Sequence, residues 1–312
     1  MEGLNQTVTY FVFLGLTHNR NLELILSVIF SILYLLILVG NLLIIVTVAR
    51  DRCLHTPMYF FLGNLSFIDI CHSSVTMPKM LFDCFFHQKV ISFEGCVTQL
   101  FFLHLCASAE IFLLTIMGYD RCVAICFPFQ YLNLMNMKIC VGLLGVLWVG
   151  ATIHSLIQTF LTTHLSYCGP NIIDSFFCDI PPLMKLACMD TYFTSILIIS
   201  SSGLMPLVCF MILVTSYAII LTSLRGQAAE DRHKAFSTCA AHLLVVILFL
   251  GHCIFIYTCP ASSFSTDKLA AVLYTMVTPF LNPVIYTLRN KESPMFWTSG
   301  TTKLIILNPA DH

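Results

Sequence analysis

The sequence predicts an all-α integral membrane protein, a bundle of seven transmembrane helices with an extracellular N-terminus and a cytosolic C-terminus. Three observations carry that prediction. Of 312 residues, 58% are hydrophobic and only 10% are charged, with a mean hydropathy of +0.87. Apolar runs long enough to cross a bilayer recur along the whole chain. Lys and Arg gather in alternate connections between those runs. The charge figure excludes an ordinary soluble enzyme, because soluble domains carry about 25% charged residues. It excludes disorder as well, since disordered chains are polar and charge-rich. With 15 Lys+Arg against 16 Asp+Glu there is no basic footprint, so no nucleic-acid partner is expected.

A spanning helix needs roughly 20 mostly apolar residues. Such runs lie near 24–49, 58–80, 97–126, 139–159, 195–224, 236–259 and 268–287. The first holds no charge at all, whereas Asp69 interrupts the second and Glu110, Asp120 and Arg121 interrupt the third. Pro279 and Pro283 break the seventh and favour a kink or hinge there. One set of connections holds Arg50, Arg52, Arg121, Lys138, Arg225, Arg232, Lys234, Arg289, Lys291 and Lys303; the other holds only Arg20, Lys79, Lys89, Lys185 and Lys268. The richer set faces the cytosol. Residues 1–312 form one seven-transmembrane domain, with 1–23 as an extracellular N-terminus and 288–312 as a short cytosolic tail. Met1–Tyr10 has no basic n-region, so no cleavable signal peptide is expected.

Two further features agree with this orientation. Asn5-Gln6-Thr7 is a glycosylation acceptor, usable only on the outer face. Cys96, Cys168, Cys178 and Cys188 fall in outer segments, where disulfides persist, although spacing leaves three pairings open.

Ionisable groups inside spans are costly and are functional candidates. Counted inward from Cys96 at 1.5 Å per residue, Glu110 lies about 21 Å deep and Asp120-Arg121 about 36 Å deep, at the cytosolic mouth. An interfacial snorkelling pair is the plain reading of Asp120-Arg121. Asp69 and Glu110 fit either a structural polar network with Asn41 and Asn282 or a buried cation or proton site.

Several motifs in fixed order resemble one family. They are Gly40-Asn41, LHTPMYFFLGNLSFID at 54–69, MGYDRCVAIC at 117–126, Ser216-Tyr217, KAFSTCAAHLLVV at 234–246 and PFLNPVIYTLRN at 279–290. The chain resembles a vertebrate olfactory receptor of the rhodopsin-like G-protein-coupled class, from about Phe11 to Lys291. The outer segment CGPNIIDSFFCDIPPLMKLAC at 168–188 is similar to that family's second extracellular loop. The resemblance implies disulfides Cys96–Cys178 and Cys168–Cys188. It implies that Asp120-Arg121 form an ionic lock at the G-protein cleft, with Tyr217, Asn282, Pro283 and Tyr286 in the activation switch. Lys234 to His242 would begin the sixth helix, the part that swings outward. Asn41, Asp69 and Glu110 would line a polar cavity able to take sodium; no other cofactor and no metal are expected. The implied partners are a small volatile ligand, the bilayer and an olfactory stimulatory G protein that raises cAMP, at the plasma membrane of sensory cilia.

The chain also departs from the family pattern. Gly118 replaces the usual Ala, Cys122 the usual Tyr, Ala241 the usual Ser, and Leu250 an aromatic of the sixth helix. Ser175 replaces the His of an H-x-x-C-[DE] segment, which removes a copper ligand. After Lys291 the family's basic amphipathic helix gives way to ESPMFWTSGTTKLIILNPADH, which predicts weaker surface delivery or coupling.

For the ligand, Leu100, His104, Ala107, Ser108 and Ile111 share one face of the third helix. Ser202, Met205, Tyr257 and Thr275 are further expected lining. This apolar face with few hydrogen-bonding groups suits small neutral hydrophobic molecules. Leu103 near the position of an amine receptor's acid disfavours cationic amines, and the seventh span has no mid-depth lysine for a retinal Schiff base. His154 and His252 read as hydrogen-bonded packing residues. No phosphate loop, nucleophile elbow or H-E-x-x-H occurs, so an enzyme is not expected. The rival reading is an ion- or proton-coupled transporter using Asp69 and Glu110, against which stands the lack of an internal repeat.

Overall fold

A computed structural model describes residues 8–17, 19–168, 171–188, 192–225, 239–240, 242–247, 268 and 272–288. Its long helices are α1 (Arg20–Arg50), α2 (Pro57–Phe86), α3 (Phe93–Cys126), α4 (Met137–Thr163) and α5 (Tyr192–Leu224). Helical residues at 239–240 and 242–247 belong to α6. A π-turn, Leu273–Val277, leads into α7 (Thr278–Leu288).

Three of the long helices start where a side chain satisfies free N–H groups. Asn19 accepts from Asn21 and Leu22, Ser92 from Gly95, and Asn136 from Ile139. Pro57 stands at the first turn of α2, where its missing N–H costs nothing. Polar caps are invisible to a hydropathy window, so α1 and α3 begin at Arg20 and Phe93 rather than near 24 and 97.

The helices fold around α3. Its apolar window is 61% buried, against 17–22% for α1, α4 and α5. Leu113, Leu114 and Met117 of α3 pack against Phe61, Leu65 and Ile68 of α2, Leu147 and Ala151 of α4, and Cys209 and Leu213 of α5. The outward faces of α1, α4 and α5 leave Leu, Ile, Val and Phe exposed, as a lipid-facing surface requires. Gly118 lets Leu213 pack directly on the α3 backbone, in space that a Cβ would take.

The outer end is capped by a small sheet. Strand β1 (Tyr10–Phe13) pairs antiparallel with β2 (Val90–Ser92) and parallel with β3 (Ile172–Ile173). Disulfides Cys96–Cys178 and Cys168–Cys188 hold the loop that carries β3, with Cα separations of 5.5 and 5.7 Å. Phe11 and Phe13 are buried beneath it with Cys96, Leu100 and Ile173. After β1 the chain turns at Gly15, whose φ of 76° disfavours any side chain. Lys268 then donates to the Gly15 carbonyl at 2.7 Å and pairs with Asp174 at 2.9 Å. Beside it, Glu23 is only 3% exposed and pairs with Lys89 at 2.5 Å and Arg20 at 3.1 Å. Arg20 also donates to the terminal α2 carbonyls of Cys84 and Phe85. Glu23 thus joins α1, the end of α2 and the sheet. Glu23→Gln is expected to destabilise the protein by about 1–3 kcal/mol, because charged partners lose a buried carboxylate. A thermal unfolding scan in lipid nanodiscs would show a lower midpoint, and an unchanged midpoint would remove Glu23 from this role.

Candidate functional site

The polar groups inside the bundle lie at three depths along α3. At the deepest buried level, Asn282 Nδ2 of α7 donates to both oxygens of Asp69, at 3.1 and 3.0 Å. Glu110 lies within electrostatic reach of Asp69, and its Oε2 is 3.3 Å from His72 Nδ1. Asp69, His72 and Glu110 are all fully buried. His72 is three residues along α2 from Asp69, so helical spacing places both on one face. Asn41 completes the level by donating to the carbonyls of Ile37 and Pro279. Pro283 explains the second bond: without an N–H it cannot reach the carbonyl of residue 279, and Asn41 takes that acceptor. Glu110 Oε1, Asn41 Oδ1 and Asn282 Oδ1 remain buried without a hydrogen bond, so this level presents oxygen acceptors.

Nearer the cytosol, His242 of α6 spans three helices. Its Nε2 lies 3.0 Å from the Leu114 carbonyl of α3, and its Nδ1 lies 2.5 Å from the Tyr217 hydroxyl of α5. A carbonyl only accepts, so the ring proton sits on Nε2 and Tyr217 donates to Nδ1. Below this bridge, Asp120 is 1% exposed and accepts from Tyr131 at 2.9 Å, while Arg121 lies 4.0 Å from the same carboxylate. Of the two readings that position left open, burial of Asp120 disfavours an interfacial snorkelling pair. Tyr131 and the exposed Phe129 and Leu132 follow the Pro128 break, so no helical periodicity in the sequence tied them to Asp120.

At the outer level, His104, Ala107, Ser108 and Ile111 share one face of α3. Ile111 and Ser108 are buried, with Ser108 Oγ 2.8 Å from His154 Nδ1 of α4. Ser202 is turned back onto its own helix, donating to the Ile198 carbonyl, and Met205 packs against the central core. Thr275 is buried in the π-turn. Tyr257, Lys234, Leu250 and Asn5, and the side chain of Tyr286, lie outside the described residues. Above His104 sits Asp179, which caps a short helix (Ile180–Met184) by accepting from Ile180 at 2.8 Å. A separate cleft of about 510 Å³ on the outer surface, lined by Phe13, Lys79, Phe82 and Lys89, is remote from this face. Among the described residues no cluster of three or more His, Cys, Asp or Glu could hold a metal.

This arrangement of a polar core, a three-helix bridge and a disulfide-held outer loop can be compared with known proteins. The olfactory receptor family profile matches residues 30–296. The chain belongs to the olfactory receptor family. It is 65% identical to olfactory receptor 4E2 of Mus musculus, over 94% of this chain and 95% of that one. It is 63% identical to the Homo sapiens olfactory receptor 4E2 (94% of each chain) and 60% identical to human olfactory receptor 4E1 (93% and 92%). Among solved structures, squid rhodopsin superposes with a TM-score of 0.72 at 16% identity, covering 94% of this chain and 89% of that one, a likeness of fold. The olfactory receptor is therefore a seven-helix, rhodopsin-like G-protein-coupled receptor of the plasma membrane, with a small-molecule ligand, and not an enzyme. The transporter reading of Asp69 and Glu110 is left without support.

Burial pushes the Asp179 carboxyl up to about 6, against the opposing Ile180 N–H bond. A raised value means that the folded loop prefers the protonated acid, so stability falls as pH rises between its ordinary 3.8 and about 6, then levels. The thermal midpoint of the purified receptor should drop across that window, and Asp179→Asn should remove this part of the slope. An Asn variant with the wild-type profile would assign the slope to another group.

Proposed function

We propose that this odorant receptor binds small, neutral, mainly hydrophobic volatile molecules in the outer half of the bundle and raises cAMP through an olfactory stimulatory G protein, in sensory cilia. The observation that supports it is the His242 bridge. It ties α6 to α3 and α5 one level above Arg121, at the place where a G protein must enter. Ligand-driven loss of that bridge frees the cytosolic end of α6. Phe129 is fully exposed and Leu132 is 75% exposed, giving the cytosolic face an apolar contact for the G protein. Asp120, Arg121, Tyr217, His242, Asn282, Pro283 and Tyr286 act as the switch, and Lys234 as part of the coupling surface. The buried oxygens of Asp69, Glu110, Asn41 and Asn282 suit a sodium ion, an oxygen-seeking cation that would neutralise two close carboxylates. The outer loop disulfides and Asn5 glycosylation belong to the extracellular face.

The test is odorant-dependent cAMP accumulation in cells supplied with the olfactory G protein. Arg121→Ala should abolish the response with surface level intact, and Phe129→Ala should lower its maximum at least about threefold. A response preserved in Arg121→Ala, or independent of the G protein, would sink the proposal.

A further inference from the structure

The ligand-facing side of α3 meets a second row of polar groups on α4. Ser108 Oγ is 2.8 Å from His154 Nδ1, and His154 Nε2 is 3.4 Å from Gln158 Nε2. The same amide nitrogen donates to Ser201 Oγ of α5 at 2.9 Å. The rings of His104 and His154 meet edge to face with centroids 6.3 Å apart, and His104 Nε2 stands 4.0 Å from Asp179 Oδ1, beyond hydrogen-bond range. The row therefore runs from the outer loop across three helices.

Proton bookkeeping fixes the roles. An amide N–H donates, so His154 Nε2 accepts and its proton sits on Nδ1, where it donates to Ser108. Ser201 donates in turn to the Leu197 carbonyl at 2.7 Å, and Thr162 donates to the Gln158 carbonyl at 2.8 Å. Three polar atoms of this region are left over. The Gln158 side chain is completely buried, yet its Oε1 has no partner, and neither does Thr159 Oγ1 next to it or His104 Nε2. A buried acceptor without a donor costs about 1–3 kcal/mol. Among the described residues no hydroxyl or N–H lies within hydrogen-bond range of Gln158 Oε1, so the site has room in its bonding for a donor from outside the chain.

We infer that His154 and Gln158 of α4 form a hydroxyl-recognising subsite of the odorant pocket, and that the odorants of this receptor are volatile alcohols. The inference rests on the odorant-receptor reading and narrows its ligand class. The ligand O–H donates to Gln158 Oε1 while its hydrocarbon part lies along the apolar side of the α3 face. A hydroxyl also fits if the amide turns half a revolution about χ3. Ser201 and His154 would then reverse roles, an N–H would be left over, and the hydroxyl oxygen would accept from it. Ketones, esters and ethers satisfy only that second arrangement, and hydrocarbons satisfy neither.

The experiment measures cAMP responses to straight-chain, benzylic and monoterpene alcohols, each beside its own methyl ether and the ketone and hydrocarbon of the same skeleton. The wild-type receptor should respond to at least one alcohol with an EC50 about tenfold below that of its ether, the worth of one buried hydrogen bond. Gln158→Leu should bring the two to within about twofold while the ether response is kept, and Gln158→Glu should retain the alcohol preference. If Gln158→Leu does not reach the surface, the wild-type ratio together with Gln158→Glu decides. Equal potency of alcohol and ether in the wild type, or a ratio unchanged by Gln158→Leu, overturns the subsite and gives the orphan oxygen to a trapped water. A receptor that answers ketones or hydrocarbons but no alcohol overturns the subsite and leaves the odorant reading intact. A receptor at the surface that answers no compound class overturns both.

Discussion

Asp69 is a carboxylate with no exposed surface, and the hydrogen bonds that both its oxygens receive from Asn282 hold α7 against α2. Inside a bilayer no water can take the place of those bonds, so the two helices must keep this register or leave buried polar groups unpaired. The rest of the bundle is arranged around that requirement. Pro279 lies two residues past a π-turn, and Pro283 lies one turn further on. Together they bend the segment so that Asn282 reaches across. Asn41 then closes the break by donating to the Pro279 carbonyl that Pro283 cannot serve. A helix that is polar and interrupted at mid-membrane is stable here because α1 and α2 supply its missing partners.

The same rule, that each buried polar group must find its partner within the protein, gives α3 its functional layers. The Leu114 carbonyl meets His242, Asp120 meets Tyr131, Ser108 meets His154, and Glu110 meets His72. His72 and His154 come from the long helices α2 and α4, His242 comes from α6, and Tyr131 comes from the short helix that follows α3. Movement of any of those elements must exchange at least one buried bond. On the proposed mechanism a small change beside the outer face of α3 would be felt at its cytosolic end through these bonds, and α3, far more enclosed than α1, α4 and α5, carries polar residues that the membrane penalises.

Much of this was legible in the sequence, and the gaps have physical causes. The charge-free run at 24–49 and the scarcity of Lys and Arg gave membrane class and orientation, because hydropathy is a property of consecutive residues. Asp69, Glu110 and Asn282 stood out as polar groups in apolar surroundings, although only the fold shows which of them touch. Tyr131 and Asp179 gave no signal, because each acts across a break in helical periodicity. Strand β1 was equally silent: Val12 pairs with Ile172, a partner brought near only by the loop that Cys96–Cys178 tethers. His154 read as a hydrogen-bonded packing residue, although its isolation in the sequence hid its partners. Its place in a polar row depends on Gln158 one turn away and on Ser108 and Ser201 from two other helices.

The hinge of this mechanism is His242, through which α6 is bound to the α3 backbone and to Tyr217. Spin labels at the cytosolic ends of α3 and α6, read by pulsed dipolar spectroscopy in lipid nanodiscs without odorant, report that link directly. If the bridge holds α6 in place, His242→Leu shifts the distance distribution outward relative to the wild type. Coincident distributions in the two proteins would show that α6 is held by other contacts and that His242 is not the switch.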